Sequence, residues 1–308
     1  MCRPLPHHHQ KLSIHMAGQL KEVRNRIKSV QSTQQITKAM KMVSAAKLRR
    51  AQDSIVQMRP YAKKLQEMLS NIVSNTPMDG GNVLAQERPI EKVLMIVITS
   101  DRGLAGAYNA NIIKLAKQTI REKYAAQAAK GNVTIWNIGK KGYEHFAKNN
   151  FHAVDTYKDI FLHLSFEGVQ QAAQAAVKAF QNREFDAIDV VYSEFKNAAT
   201  QSFVVEQFLP IAKTQGSSNT VKADFIFDPN KEELIAELMP KILNTQLYKA
   251  VLDANASEHG ARMTAMDKAS ENANELLRNL KISYNRARQA AITTELTEIV
   301  SGAAALQG

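Results

Sequence analysis

Cysteine is almost absent: Cys2 is the one cysteine in 308 residues. No intramolecular disulfide and no cysteine-rich zinc site can form, so a reducing compartment is the default. Aromatic residues make up only 6%, with Trp136 the single tryptophan, a composition that suits elongated helices better than a thick globular core. No apolar run approaches the ~20 residues of a membrane span, and the first residues lack the apolar stretch of a signal peptide, so a soluble or peripheral protein is expected. Proline is missing from Lys241 to Leu306, where glycine occurs only at Gly260 and Gly302. Catalytic patterns are missing too: there is no three-glycine dinucleotide motif, no P-loop, no nucleophile elbow and no histidine pair at metal-binding spacing. His145, His152 and His163 fall on different elements and are read as packing or solvent-exposed side chains. No chemistry for an enzyme is visible, and neither a cofactor nor a metal site is expected.

What is present in excess is positive charge, a net +11, and it is concentrated. Between Ala17 and Arg50 stand nine basic residues (Lys21, Arg24, Arg26, Lys28, Lys38, Lys41, Lys47, Arg49, Arg50) against the single acid Glu22. A solvated charged face, a nucleic-acid phosphate backbone and an acidic protein surface are the three readings. Apolar seams run beside the charge and no aromatics are interleaved for base stacking, which favours the protein surface.

Two long helical patterns, roughly 55 and 70 residues, bracket the chain. From Gln19 the apolar positions Leu20, Val23, Ile27 and Val30 step by three and four, as in a coiled coil. The seam crosses the polar patch Gln31 to Gln35 and resumes out of register at Ile36, Met40 and Val43, so a strict heptad is not expected. Pro60 is expected to kink or interrupt this helix. In the last helix Met263, Met266, Ala273, Leu277, Leu280, Tyr284, Ala287 and Ala291 hold the same spacing, with Ser270 in the missing place, before the stripe shifts to Ile292, Leu296 and Ile299. At 1.5 Å per residue the proline-free run reaches about 100 Å. Two one-sided helices this far apart in sequence predict an antiparallel pair with a compact connector between them, a rod with a lobe on its flank. Gln289 to Gly308 holds no lysine or arginine and only the acids Glu295 and Glu298; exposed, it would be sticky, so it is expected to sit inside something.

The middle alternates strand and helix patterns: strands at Val93–Ile98, Val133–Ile138, Phe151–Asp155, Ala187–Tyr192 and Ser202–Leu209, with helices at Ala110–Tyr124, Lys141–Lys148 and Gly168–Phe180. The expectation is an α+β protein overall, with a Rossmann-like α/β middle domain. Its boundaries are 1–15 as a non-native or disordered leader, 16–73 as the first helix, 74–82 as a breaker-rich linker, 83–220 as the middle domain and 221–308 as the last helix. The loop Lys213–Thr220 closes the middle domain, and Asp228-Pro229 offers a cap for the last helix. Gly103-Leu104-Ala105-Gly106 lies in a strand-to-helix turn that could cradle a phosphate or simply be a tight turn; the glycine pattern favours the tight turn. Asp101 and Arg102 could pair with each other or with a neighbouring chain.

Ile27-Lys28-Ser29-Val30-Gln31-Ser32-Thr33-Gln34-Gln35-Ile36-Thr37-Lys38-Ala39-Met40-Lys41-Met42-Val43 near the front resembles the N-terminal helix of the gamma subunit of the rotary F-type ATP synthase. Tyr284-Asn285-Arg286-Ala287-Arg288-Gln289-Ala290-Ala291-Ile292-Thr293-Thr294-Glu295-Leu296 and the residues after it resemble that family's C-terminal signature. Thr99-Ser100-Asp101-Arg102-Gly103-Leu104-Ala105-Gly106-Ala107-Tyr108-Asn109 is similar to its first strand-turn-helix, with alanines at Ala105 and Ala107 where cysteine or glycine often stands. The rest of the middle matches weakly and Met1 to His15 is not covered.

The resemblance implies a bacterial-type, non-catalytic rotor shaft that couples proton-driven rotation of a membrane ring to ATP synthesis or hydrolysis. The partners it implies are the alpha and beta subunits, whose hexamer cavity receives the paired helices, the epsilon subunit and the c-ring of Fo; nucleic acid is not among them. Membrane contact would be indirect, on the cytoplasmic face of the bacterial plasma membrane. Carried over by motif, Met40 and Lys41 would face lower catalytic-subunit loops, and Arg288 and Gln289 a loop higher up, with Thr293 and Glu295 nearby. The competing readings are a Rossmann-like nucleotide-binding enzyme with helical arms and a basic coiled-coil nucleic-acid binder.

Overall fold

The computed structural model describes residues 8–74, 83–212 and 231–307. The chain divides into two compact units, one drawn from Met1–Met42 and Met266–Gly308 and the other from Val43–Ala265. Helix α1 spans His8–Ser74 and the last helix, α6, spans Lys231–Gln307, so both contribute to each unit. Helix α1 therefore begins inside the stretch expected as a leader, two positions past Pro6, where Gln10, Lys11 and Leu12 supply helix formers. Of the expected linker 74–82, Ser74 ends α1; its other residues, the loop Lys213–Thr220 and the Asp228-Pro229 cap lie outside the described residues.

Pro60 does not interrupt α1, nor Pro240 α6. A helical proline removes one hydrogen bond, leaving the carbonyl four residues earlier unpaired. Here those carbonyls belong to Val56 and Ala236, both exposed, where water can satisfy them.

In the first unit the two helices run antiparallel. Arg24 donates to the Tyr284 hydroxyl at 3.0 Å, the hydroxyls of Thr37 and Ser270 lie 2.8 Å apart, Gln34 donates to Asn274, and Lys41 pairs with Asp267. These pairs correct the expected register break. The inward positions on α1 run Leu20, Val23, Ile27, Val30, Gln34, Thr37, Lys41, Ser44 and on to Leu48, an unbroken alternation of threes and fours, whereas Ile36 and Val43 are exposed. The heptad persists through the polar patch because its inward positions are filled by side chains that bond across the seam. On α6 the matching positions Met266, Ser270, Ala273, Leu277 and Leu280 are buried, and Tyr284, Ala287, Ala291 and Thr294 half-buried. The packed stripe does not shift at Ile292; the apolar stripe leaves the seam there and turns to solvent.

The second unit is built on a five-stranded sheet of order β3-β2-β1-β4-β5, comprising β1 (Val93–Ile98), β2 (Val133–Ile138), β3 (His152–Val154), β4 (Ala187–Phe195) and β5 (Gln201–Leu209). All neighbours are parallel except β5, which pairs antiparallel to β4. Central β1 is buried along its whole length, which its unbroken run of apolar residues requires. Alternate residues serve two cores. Val93, Met95 and Val97 face α2 (Tyr108–Lys123) and α4 (Lys140–Lys148), the latter through Phe146. Leu94, Ile96 and Ile98 face α5 (Phe166–Gln181) and the α6 segment from Met239 to Ala254. The remaining helix, α3, is the short Ala125–Ala129 turn before β2. Gly139 follows β2 with φ +105°, and a Cβ there would sit 2.3 Å from the Thr99 carbonyl, so only glycine lets the ends of β1 and β2 approach. A third cluster joins Leu48, Ala51 and Ile55 of α1 to Leu252 and Ala256 of α6.

Candidate functional site

In a sheet with this order the connections reverse direction beside β1, and the crevice beyond the carboxyl ends of β1 and β4 is where doubly wound folds bind ligands. Here α6 occupies it. The Ser257 hydroxyl donates to the Ser193 carbonyl at the end of β4 (3.2 Å), and the Tyr108 hydroxyl donates to the Ala254 carbonyl (2.9 Å). Gly260 passes so close to the turn after β4 that a Cβ would lie 2.9 Å from the Ala198 carbonyl. Arg262, 8% exposed, donates to the carbonyls of Gly103 (2.5 Å) and Arg102 (3.2 Å) and pairs with Glu258 at 2.8 Å.

The Gly103-Leu104-Ala105-Gly106 turn is therefore a clasp for α6. Leu104 and Gly106 adopt φ of 63° and 61°, and Ser100 and Asn109 bond reciprocally across the turn's base. The turn presents the Arg102 and Gly103 carbonyls to an arginine, and a phosphate would need donors at that place. Asp101 does not pair with Arg102; it accepts from the Lys140 backbone N–H at 3.1 Å, and burial holds its carboxyl above the ordinary range despite that bond. His152 and His163 are exposed and His145 is half-buried, on three separate elements. Among the described residues no group of three or more His, Cys, Asp or Glu is placed to hold a metal ion, and no helix is long and apolar enough to cross a membrane.

The other candidate surface belongs to the first unit. Eight of the nine cations between Ala17 and Arg50 are exposed, Lys41 alone being half-buried. Two of them reach α6 directly: Arg24 lies over the Tyr284 ring at 5.8 Å, and Lys41 bonds Asp267. Past Ala291, α6 turns the apolar side chains Ile292, Leu296, Ile299, Val300 and Leu306 to solvent, Leu306 being 90% exposed. A run of that kind on a stretch of helix that holds no cation after Arg288 is a surface built to be covered.

A family model described as ATP synthase matches residues 19–306. The ATP synthase gamma chain of Cytophaga hutchinsonii is 53% identical over 290 residues, covering 93% of this chain and 98% of that one. The chain belongs to the ATP synthase gamma-chain family. The gamma chain of Flavobacterium psychrophilum is 51% identical over 289 residues, covering 94% of this chain and 99% of that one. A chain in the structure of the Euglena gracilis mitochondrial ATP synthase OSCP, F1 and c-ring has the same fold, with TM-score 0.63 at 21% identity, covering 94% of this chain and 95% of that chain.

In this gamma chain the six residues singled out by motif lie in two groups on the first unit. Met40 and Lys41 are half-buried beside the α1–α6 seam, with Lys41 committed to Asp267. Arg288, Gln289, Thr293 and Glu295 are exposed on α6. The Thr293 hydroxyl returns to the Gln289 carbonyl at 2.9 Å, and Arg288 has no partner among the described residues. Sequence reasoning missed Asp267 and Arg262. Asp267 was within reach of the antiparallel register once Ser270 was placed opposite Thr37; Arg262 carried no signal, since only the fold brings it to Gly103.

Proposed function

We propose that this gamma chain is the central rotor shaft of a proton-translocating F-type ATP synthase, a non-catalytic subunit that couples rotation of the membrane ring to ATP synthesis or hydrolysis. The carrying observation is the bare apolar end of α6 from Ile292 to Leu306, set on a helix pair whose other exposed face is cationic. An apolar, cation-free end suits a bearing that turns inside a sleeve of alpha and beta subunits, because with Glu295 and Glu298 its only charges it forms few ion pairs with any one position. The cationic face of α1 suits acidic loops of the stator.

Within this reading Met40 and Lys41 meet lower catalytic-subunit loops, Arg288 and Gln289 meet a loop higher up, and Thr293 and Glu295 flank that contact. The middle domain, residues 83–220, faces the epsilon subunit and the c-ring, so membrane contact is indirect and on the cytoplasmic side of the bacterial plasma membrane. Coupling follows from asymmetry: a shaft can shift the nucleotide affinity of each catalytic site only through contacts that differ between states. The six contact residues occupy unlike surroundings, one group half-buried beside an ion pair and the other bare, so rotation presents each site with different faces.

Co-purification with alpha and beta subunits and loss of coupled ATP synthesis on truncation from Gln289 onward are the expected results. Full coupling retained without the C-terminal helix would sink the torque role. The nucleotide-enzyme reading is disfavoured by the occupied crevice and would require saturable nucleotide binding that is lost on substituting Gly103 and Gly106.

A further inference from the structure

A groove of about 630 Å³ lies between α2 and α4 in the second unit. Lys114, Lys117 and Arg121 line it from α2 at steps of three and four residues, and Lys141 and Lys148 from α4, seven apart. Each row thus runs about 10 Å along its helix. Glu144 is the one acid in the lining and is taken up by Lys141 at 3.2 Å. Among the described residues no carboxylate pairs with Lys114, Lys117, Arg121 or Lys148.

This arrangement works against the stability of the isolated fold. Like charges line both walls of the groove, and Lys141 stands in the first turn of α4, where the helix dipole is already positive. A surface selected only for solubility would mix the signs. Between the rows, His145 has a buried Nε2 without a hydrogen-bond partner, and burial followed by the charge of Lys117 hold its imidazole below the ordinary value. A neutral ring with a free nitrogen beside a cationic groove gains a proton readily when an anion arrives.

We propose that the groove between α2 and α4 binds an oligophosphate group, held by the two facing rows of cations. Phosphate fits better than an acidic peptide because, apart from Glu144, which Lys141 holds, the charged rim consists of donors, and the backbones of both helices are internally bonded. A phosphate chain brings acceptors only; a peptide brings N–H groups that would find few partners. The apolar side chain of Ile113 in the lining offers contact to whatever bears the phosphates. The bearer is either a free di- or triphosphate or a lipid headgroup. The site contains none of the six rotor-contact residues and stands apart from the shaft reading.

Full-length protein is titrated calorimetrically with sodium tripolyphosphate, mixed separately with phosphatidylcholine vesicles containing a phosphoinositide, and titrated with polyglutamate. The groove is altered by Lys114→Glu with Arg121→Glu, both exposed; Lys63→Glu with Lys64→Glu, exposed on α1, makes the same charge change elsewhere. Saturable binding weakened about tenfold or more by the groove pair and little changed by the α1 pair is expected, with the His145 imidazole titrating at higher pH when ligand is bound. Binding to the vesicles alone, lost with the groove pair, assigns the phosphates to a lipid headgroup. Equal weakening by both pairs, failure to bind either phosphate probe, or polyglutamate binding as tight as tripolyphosphate would each overturn the proposal.

Discussion

The hydroxyls of Thr37 on α1 and Ser270 on α6 meet 2.8 Å apart in the middle of the helix pair, both buried. Thr37 also bonds the Gln34 carbonyl at 3.0 Å, so its proton goes to its own helix and the Ser270 proton crosses the seam. A coiled coil that puts polar side chains at inward positions gives up apolar burial but gains a preferred register, since sliding either helix by one step would orphan these groups.

Replacing Thr37 by Val leaves the Ser270 hydroxyl without its partner and is expected to cost about 1–2 kcal/mol, whereas the double replacement Thr37→Val with Ser270→Ala returns close to the parent. Urea unfolding of the four proteins in the cycle measures this. Additive losses would mean that the two hydroxyls do not act as a pair.

Lys41 and Asp267 are each nearly half-exposed in their side chains, 43% and 49%, so their attraction is largely screened. Lys41→Ala is expected to change the stability of the isolated chain by no more than about 1 kcal/mol. In the assembled complex, coupled ATP synthesis should fall by more than that loss explains if Lys41 also meets the stator. The swap Lys41→Asp with Asp267→Lys preserves the ion pair and should leave coupling impaired; restored coupling would show that Lys41 serves only the seam.

Arg262 is buried against Glu258 with side-chain exposures of 10% and 12%, and it closes the turn after β1 onto α6. Arg262→Met leaves the Glu258 carboxylate and two carbonyls unpaired and is expected to cost about 3–5 kcal/mol. Thermal denaturation of the full chain tests it, and a loss below 1 kcal/mol would remove the clasp role.

Asp253 is pushed from the ordinary 3.8 up to about 6, first by burial, with Glu194 and Glu206 adding to the rise and Lys249 and Arg59 opposing it. The folded state thus binds this proton more tightly than the unfolded state does. Its unfavourable contribution is full above pH 6, shrinks as pH falls through 6, and is gone below about pH 4. At roughly 1.4 kcal/mol per unit the effect is on the order of 2–3 kcal/mol. Asp253→Asn should therefore stabilise the protein at pH 7.5 and give little or no advantage at pH 4, read as the gap in urea midpoint between the two proteins. A gap that does not depend on pH would rule out the titration.

Local pattern carried much of this molecule. The run Val93–Ile98 has the pattern of a strand buried on both faces, and it is one. Val133–Ile138 and the steps from Met266 to Ala291 were equally legible, because a period of two or of 3.6 is written in consecutive residues. Hydropathy misled where an inward position was polar. Gln34, Thr37, Lys41 and Ser44 look like surface residues until the opposite helix supplies Asn274, Ser270 and Asp267. Ile36 and Val43 looked like a new seam and point to solvent. Of the six motif-derived contact residues, the sequence located the two stretches of helix but not the difference between a paired Lys41 and a bare Arg288.

By itself the sequence determined the kinds of element and their order: two long helices, their cationic and cation-free stretches, and an alternating α/β middle without catalytic signatures. These follow from propensity and periodicity, which act over a few turns. Tertiary structure alone decided what fills the crevice at the end of β1. Arg262 lies 159 positions from Gly103 along the chain, and no local rule reaches that far; the two meet because the sheet and α6 share cores that must close together. The same long-range closure set Thr37 against Ser270 and brought the lysines of α2 and α4 to face each other across one groove.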